Sequence, residues 1–404
     1  MVKKLWNKNF TLLLQASAIS TIGDIMYGVA IGYWVFAQTG SSTLMGIMSA
    51  ISMFVTMFLS PFTGSVIDKC NRKWVIVIGD LFQGAIMLTV GALAYMDKLS
   101  VPGVLVAAFL ASLGGVFYSP AANTTLIDII PKDDIVRGQS LFSGVSSTIN
   151  LVGTAFSGVV VAFFGVPLII VLNGLSNIYS AISELFITVP KTAQQGESVS
   201  VKGILSDSKA AIVEIATDPH LRVFIPCLLI INLLAAGAFS LILPFTMEKS
   251  FSVEQYGYLM SVWSIASLAS VIILGIIKFS PKARFWIMSL GFCVSSVFMV
   301  LTFLATEFIP MCIFAFLSGF LNAAGNAVFS ASLMLALPEK NRGSILGFIS
   351  SASVGGSALS SVIYGVLGDI FPLYIVFAIG SAISLIPMIF LCAHPRTKAF
   401  IVSN

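Results

Sequence analysis

The sequence predicts an all-α membrane protein whose twelve transmembrane helices form two six-helix bundles. Apolar residues make up 57% of the 404 residues and charged residues only 9%. A water-soluble domain carries roughly 25% charged residues, so this chain must be covered largely by lipid. A spanning helix needs about 20 apolar residues, and the length leaves room for about twelve. The apolar runs are long and continuous rather than alternating, which favours helices over a β-barrel.

The apolar runs define the predicted spans, which are separated by short polar, Pro- or Gly-containing segments. In chain order they are Phe10–Phe36, Leu44–Ile67, Trp74–Met96, Val101–Ile130, Ser140–Phe164, Pro167–Val189, Leu221–Met247, Tyr256–Ile277, Phe285–Ala305, Ile309–Leu337, Ser344–Asp369 and Leu373–Ala393.

The longest polar stretch separates the sixth span from the seventh and predicts the division into domains. Residues 1–190 are expected to form an N-terminal bundle, residues 191–220 a cytoplasmic linker and residues 221–404 a C-terminal bundle. Apolar residues recur at roughly helical spacing within the linker, which indicates an amphipathic surface helix. The halves also echo each other, because Ala-Phe-Leu opens a stretch ending in Pro at 108–131 and again at 315–338.

The basic residues predict the orientation in the membrane. With the N-terminus placed in the cytoplasm, every Lys and Arg except Lys98 and Lys249 falls on the cytoplasmic side. Cytoplasmic loops carry an excess of Lys and Arg. We therefore expect a multi-pass, monomeric protein of the inner (plasma) membrane with both termini in the cytoplasm. The first apolar run is too long for a signal-peptide core and is taken as the first span.

Several classes of chemistry lack their sequence motifs. The five cysteines have no C-x-x-C spacing, so neither a disulfide framework nor a zinc site is indicated. The chain contains neither the G-x-x-x-x-G-K-[ST] phosphate-binding loop nor the H-E-x-x-H metal motif. We expect no enzyme activity, no metal, no cofactor and no nucleic-acid partner. Energy for any transport must then come from an ion gradient or from a partner.

Asp24 is the sharpest single feature, because it lies near the middle of the first span. A carboxylate at the bilayer centre costs at least about 2.5 kcal/mol on insertion scales. Removal from water favours the neutral form of a carboxyl group, so Asp24 is suited to carry a proton. The alternative is a structural Asp that bonds Ser20 or Thr21.

Three further acids lie nearer the predicted cytoplasmic ends of their spans. Glu184 is six residues before Pro190 and is interpreted as structural, reaching the interface or pairing with a linker Lys. Asp80 and Asp128 are expected to contact loop cations.

The loop between the second and third spans carries a recognisable motif. Residues 64–73 read GSVIDKCNRK. They resemble the signature loop of the major facilitator superfamily, G-x-x-x-D-[RK]-x-G-[RK]-[RK], except that Asn71 stands where the family usually has Gly. Asn also tolerates the left-handed backbone that a tight turn can require. The resemblance implies the major facilitator fold and alternating access.

The same resemblance implies a cytoplasmic gate. In that family the loop Asp lies against the start of the eleventh helix, and the loop Arg pairs with an acid at the end of the fourth. Here Asp68 would face the segment around Ser344, and Arg72 would pair with Asp128. The predicted gate residues are Gly64, Asp68, Arg72, Lys73 and Asp128.

Further motifs resemble the drug:proton antiporter branch that includes macrolide efflux proteins. They are Gln15, Ser20, Gly23 and Asp24 in the first span and FYSPAAN at 117–123 in the fourth. The antiporter motif G-P-x-x-G-G is replaced by GTAFSG at 153–158, which lacks the Pro.

Polar and aromatic residues of the spans that face the cavity in this fold are candidate substrate contacts. A helix–helix hydrogen bond is an equally good explanation for each Asn, and Asn173 and Asn177 rank below the others because they lie on an outer helix. The candidates are Tyr27, Tyr118, Asn150, Asn232, Phe239, Trp263, Asn322 and Asn326.

These observations lead to one expected function and two alternatives. A cavity with few polar groups suits an amphipathic ligand. We expect a proton-coupled antiporter that exports amphipathic small molecules such as macrolide-like drugs, with Asp24 carrying the proton. The alternatives are a lipid or lysolipid flippase of the same fold and a non-transporting membrane sensor.

Overall fold

The computed structural model of the chain describes residues 4–189, 209, 212–213, 215–218, 221–276, 280–336 and 342–394. Twelve helices in this part of the chain are long and apolar enough to cross a membrane, and no strand occurs there. The predicted all-α class is confirmed. The helices are α1 (Lys8–Thr39), α2 (Ser42–Lys69), α3 (Arg72–Tyr95), α4 (Val101–Ile129), α5 (Ile135–Phe164), α6 (Val166–Leu185), α7 (Leu221–Ser240), α8 (Val253–Ile276), α9 (Pro281–Leu304), α10 (Phe308–Ala336), α11 (Arg342–Ile370) and α12 (Leu373–Ala393).

Polar caps and glycines set the helix boundaries that the sequence placed only approximately. Asn7 accepts a hydrogen bond from the Phe10 amide at the start of α1, and Ser100 caps α4 in the same way. Gly40 ends α1 with a φ of 62°, a left-handed conformation that glycine adopts without strain. Gly165, with a φ of 75°, separates α5 from α6 where the sequence predicted a break.

The seventh predicted span, Leu221–Met247, is interrupted in the structure. Helix α7 ends at Ser240, and a separate short helix covers Ile242–Glu248. One turn before the break, the Gly237 amide donates to Ser360 Oγ on α11 at 2.8 Å. The helix ends at Ser240 because Pro244 has no amide hydrogen to donate to the Ser240 carbonyl and its ring clashes with that carbonyl.

The chain divides into two compact units. The first comprises Met1–Gly40 and Ile51–Val199, and the second Ser41–Ala50 and Ser200–Asn404. In the first unit α1 packs against α5 and α6, and α3 packs against α4 and α6. In the second, α7 packs against α11 and α12, and α9 against α10 and α12. The packing pattern thus repeats six helices later, which agrees with the sequence similarity between the stretches 108–131 and 315–338. Helix α2 begins in the second unit and continues in the first, and the predicted linker lies largely outside the described residues.

Close helix packing gives the first unit its rigidity around α6. A Cβ added to Gly84 of α3 would lie 3.1 Å from the Gly174 carbonyl oxygen of α6, and one added to Gly174 would lie 2.9 Å from the Leu88 amide nitrogen. Small residues allow backbones to come this close. Beside this contact, apolar residues of α1, α3 and α4, among them Phe10 and Leu126, form a fully buried core.

Candidate functional site

Asp24 lies midway along α1 and faces two amides of α6. The Asn173 and Asn177 side chains lie beside its carboxyl group, the Asn177 amide donates to Asn173 Oδ1 at 2.9 Å, and Asp24 is exposed. Ser20 and Thr21 donate to carbonyls one turn earlier in α1, so they are engaged with the backbone. The structural alternative for Asp24 named these two hydroxyls. The structure supplies two asparagines instead.

The approach of α6 to Asp24 depends on the glycine next to it. A Cβ on Gly23 would lie 2.3 Å from Ser176 Oγ and 2.6 Å from Asn173 Oδ1. Both distances are shorter than van der Waals contact, so a side chain at this position would push α6 away. Asn173 and Asn177 are each 1% exposed, which agrees with their low rank as cavity residues. Their place beside Asp24 was missed.

Two more carboxyl groups are buried in the same unit. Asp80 of α3 is 1% exposed and Glu184 of α6 is fully buried. The Tyr118 hydroxyl of α4 donates to Glu184 Oε1 at 3.0 Å. Asp80 lies within electrostatic reach of both Glu184 and Asp24. The structure therefore brings three intramembrane acids together within one bundle.

The expectation for Asp80 was wrong, and Glu184, the penultimate residue of α6, is buried against Tyr118. Among the described residues, no Lys or Arg pairs with either acid, and both acids are buried by protein. The cations that begin α3 are engaged elsewhere. The physical reason is the tight contact of α3 with α6, which turns Asp80 toward α6 rather than toward the loop. The position of Asp80 two turns into an apolar helix was a signal in the sequence that this acid is buried.

The predicted partners Arg72 and Asp128 are in contact. Arg72 Nη1 lies 2.6 Å from Asp128 Oδ2, and their side chains are 25% and 11% exposed. Lys73 Nζ donates to the Leu185 carbonyl at the end of α6, at 2.7 Å. This contact was expected from the resemblance, and the gating role of these residues stays a prediction. The side chains of Asp68 and Ser344, and the surroundings of Gly64, lie outside what the structure describes.

Asn71 has a different role from the one its residue type suggested. Its φ is −71°, so the backbone is not left-handed. Its side chain accepts a hydrogen bond from the Lys73 amide at 3.2 Å and caps α3. The departure from Gly in the loop motif thus adds a helix cap beside the Arg72–Asp128 pair.

The candidate cavity residues are divided between the two units. In the first unit, Tyr27 lies within electrostatic reach of Asp24, whereas Tyr118 is bonded to Glu184. Asn150 is exposed, and its amide donates to the Ser146 carbonyl of its own helix. The assignment of Asn150 and the other candidates to a substrate cavity stays a prediction.

The candidates in the second unit form two local pairs and one single residue. Phe239 and Trp263 meet edge to face, with ring centroids 4.8 Å apart. Asn326 donates to Asn322 Oδ1 at 2.8 Å. The Asn232 amide donates to the Leu228 carbonyl one turn earlier in α7. All these contacts lie within the second unit, and the role of these residues in binding a substrate stays a prediction.

The sequence reasoning missed Asp369, which joins α11 to the start of α2. Its carboxylate accepts hydrogen bonds from the Ser42 amide at 2.6 Å, the Thr43 amide at 3.2 Å and the Ser41 hydroxyl at 2.7 Å. A Cβ on Gly46 would lie 2.2 Å from the Ser361 carbonyl oxygen, so the two helices touch along this end. All these residues belong to the second unit.

Two further polar contacts hold the same unit together at its loops. Glu248 accepts a hydrogen bond from the Leu373 amide, 2.8 Å away, and so caps α12. Lys249 donates to the Ala305 carbonyl and lies over the rings of Phe245 and Tyr374. Burial lowers the pKa of Lys249 from its ordinary value, and the neighbouring Glu248 carboxylate acts in the opposite direction.

Comparison with known proteins shows that this chain is similar to membrane transporters. A sequence model of the Major Facilitator Superfamily matches residues 13–247 and 225–401. Macrolide efflux protein A of Streptococcus pyogenes is 21% identical over 194 residues, which are 48% of this chain and 48% of that protein. Multidrug efflux pump Tap of Mycobacterium tuberculosis (strain CDC 1551 / Oshkosh) is 27% identical over 160 residues, 38% of each chain. The chain thus spans half or less of the length of these relatives.

The fold is also similar to solved structures. The crystal structure of a bacterial homolog to the human lysosomal transporter Spinster, in an inward-facing and unoccupied conformation, aligns with a TM-score of 0.71. The alignment covers 98% of this chain and 97% of that chain at 14% identity. At this identity the likeness shows the fold alone.

Proposed function

Because the chain belongs to the major facilitator superfamily, we propose that it is a proton-coupled exporter of amphipathic small molecules. Asp24 is the observation that carries this proposal. It is a carboxyl group midway along a spanning helix, it is exposed, and two buried amides of α6 lie beside it. Such a group can take a proton from one side of the membrane and release it to the other.

The proposed cycle is alternating access between two bundles. Protonation of Asp24 removes a charge from mid-membrane, and deprotonation restores it. The Arg72–Asp128 pair is a charged, mostly buried contact of the kind that exists in one access state and breaks in the other. With the N-terminus in the cytoplasm, this pair would close the cytoplasmic side of the plasma-membrane carrier.

The proposed cargo follows from the lining and from the relatives. The candidate contacts are aromatic rings and neutral amides, which suit a ligand with a large apolar body and a few polar groups. Two relatives are named as a macrolide efflux protein and a multidrug efflux pump. A hydrophobic macrolide and a cationic dye are therefore the first probes.

The test uses the purified full-length protein in liposomes with an acidic lumen. We expect gradient-driven uptake of one of the two probes by the wild type. In Asp24→Asn, gradient-driven uptake falls to the level of protein-free liposomes, while exchange of labelled against unlabelled probe without a gradient persists. Asn keeps the size of the side chain but cannot cycle a proton, so coupling is lost and binding remains.

Asp97→Asn is the matched control. Asp97 is an exposed loop carboxylate with a φ of 53°, a conformation that Asn also tolerates. Its variant should transport as the wild type does. Full gradient-driven uptake by Asp24→Asn would rule out the proposed role of Asp24.

A groove in the first unit favours a second candidate, a lipid or lysolipid flippase. It has a volume of about 570 Å³ and lies between α2, α3 and α4. Its lining is mainly apolar, with Trp74, Phe82 and Phe117 along it and Asn71 at one end. This shape accommodates an acyl chain with its polar head near the α2–α3 loop.

A fluorescent lysolipid distinguishes the flippase from the exporter. A chemical quencher removes the fluorescence of the lysolipid in the outer leaflet, so the rate of translocation can be followed. Faster translocation of the lysolipid by wild-type protein, without uptake of macrolide or dye, would favour the flippase. Replacing Gly79, which lines the groove, by Leu should then slow translocation. Unchanged lysolipid rates with and without protein would exclude this function.

A further inference from the structure

Two buried acids outside the proposed Asp24 site have too few donors for both to be ionised. Asp80 is 1% exposed and Glu184 is fully buried, so neither is open to water or to lipid. Asp80 Oδ2 and Glu184 Oε2 have no hydrogen-bond partner among the described residues. Buried polar atoms are nearly always hydrogen-bonded, so these two oxygens require an explanation.

The donors that surround the pair are few and neutral. The Tyr118 hydroxyl donates to Glu184 Oε1 at 3.0 Å. The Ser180 hydroxyl is fully buried, lies beside Asp80 and has no hydrogen-bond partner in the described part of the chain. Two hydroxyl groups cannot satisfy four carboxylate oxygens.

The charged groups near Asp80 and Glu184 do not offset the repulsion between the two carboxylates. Asp24 of α1 lies within electrostatic reach of Asp80, and Asp80 within reach of Glu184. At the start of α3, Arg72 pairs with Asp128 and Lys73 donates to the Leu185 carbonyl. Tyr118 is the titratable group that α4 contributes. The described elements packed against the pair therefore supply no cation to it.

Helix packing prevents the pair from separating. Gly84 lies one turn after Asp80, and a Cβ there would be 2.8 Å from Ile178 Cγ1 and 3.1 Å from the Gly174 carbonyl oxygen. The backbones of α3 and α6 are thus in contact one turn from Asp80, and Glu184 follows six residues after Ile178 on α6. Like charges held together in a low-dielectric site cannot both ionise.

We infer that Asp80 and Glu184 form a buried proton-binding site that holds one proton between them. The protonated carboxyl group donates a hydrogen bond to the ionised one, so both unpaired oxygens gain a partner. The ionised carboxylate also accepts a hydrogen bond from the Ser180 hydroxyl. Tyr118 is a positioning residue that fixes Glu184 through Oε1. The use of this proton in transport rests on the proposed function, whereas the protonation itself does not.

Infrared spectroscopy of the full-length protein in lipid nanodiscs at neutral pH tests the inference. We expect a C=O stretching band of a protonated carboxyl group that shifts in D₂O. The band should disappear in the Asp80→Asn, Glu184→Gln double variant and persist in Asp24→Asn. Tyr118→Phe should move its frequency, because one hydrogen bond to Glu184 is lost.

Isotope labelling makes the test independent of whether the double variant folds. Labelling the side-chain carboxyl carbons of Asp or of Glu with ¹³C in the wild type should shift this band in one of the two samples. A protonated-carboxyl band that survives in the folded double variant, or its absence from the wild type at neutral pH, would overturn the inference. Neither result depends on whether the protein exports anything.

Discussion

Gly23 is the residue whose size decides how closely α1 and α6 approach beside Asp24. Its Cβ would lie 2.3 Å from Ser176 Oγ and 3.3 Å from Asn173 Cα. The hydroxyl can rotate away, but the backbone cannot. We therefore expect Gly23→Ala to destabilise the protein by about 1–3 kcal/mol, the usual cost of overpacking. The thermal unfolding midpoint of purified protein in detergent measures it.

Gly28 provides the matched control on the same helix. No atom lies within 4 Å of a Cβ at this position. The same substitution should leave the midpoint unchanged or raise it, because Ala is favoured over Gly in a helix by up to about 1 kcal/mol. Equal midpoints for both variants would mean that α1 and α6 are not in contact at Gly23.

At the residue scale, the sequence indicated which single groups carry chemistry but not which of them meet. Asp24 stood out by depth alone, and the loop resemblance paired Arg72 with Asp128. The Asp80–Glu184 pair could not be predicted, because it depends on how α3 and α6 rotate against each other. That rotation is set by glycines such as Gly84, whose effect is visible only once both helices are in place.

At the scale of the helix, Asp369 ties the end of α11 to the start of α2. Two amides of the first turn of α2 donate to its carboxylate, which also lies at the positive end of the helix dipole. Loss of such a cap costs about 0.5–2 kcal/mol. We expect Asp369→Ala to speed hydrogen–deuterium exchange of residues 42–46 by roughly 2- to 30-fold. Labelling of the protein in nanodiscs, followed by a quenched digest and mass spectrometry of the peptides, gives this rate.

Glu248→Ala is the reciprocal control, because Glu248 caps α12 at Leu373. It should speed exchange at the start of α12 and leave α2 unchanged, and Asp369→Ala should do the reverse. An Asp369→Ala variant with wild-type exchange in residues 42–46 would show that the carboxylate does not hold this end of α2. Since α2 passes from one unit into the other, loosening its first turn should also change gradient-driven flux.

Helix number and most boundaries could be predicted because they depend on local properties of the chain. Apolar length set the spans, and caps such as Asn7 and glycines such as Gly165 set their ends. The break at Leu241 was missed although Pro244 was a local signal for it, since a proline removes the hydrogen bond to the carbonyl four residues earlier. The orientation in the membrane does not depend on such local signals. It depends on the distribution of Lys and Arg over all the loops and on how the cell inserts the chain.

At the scale of the whole molecule, orientation and helix number can be tested together. Cys70 is exposed at the α2–α3 connection, whereas Lys98 and Glu307 are exposed at the α3–α4 and α9–α10 connections. In a background with the other cysteines replaced by Ser, we expect a membrane-impermeant maleimide to label Lys98→Cys and Glu307→Cys on intact cells. Cys70 should react only after permeabilisation, because the basic loops stay in the cytoplasm.

Each pattern of labelling has a separate structural meaning. Reversed labelling at all three positions would place the N-terminus outside and contradict the predicted orientation, while the helix count would stand. Labelling of Cys70 together with Lys98→Cys on intact cells would mean that α3, the one helix between them, does not cross the membrane. Opposite labelling of Lys98→Cys and Glu307→Cys would require an odd number of crossings between two connections that the twelve-helix arrangement separates by six.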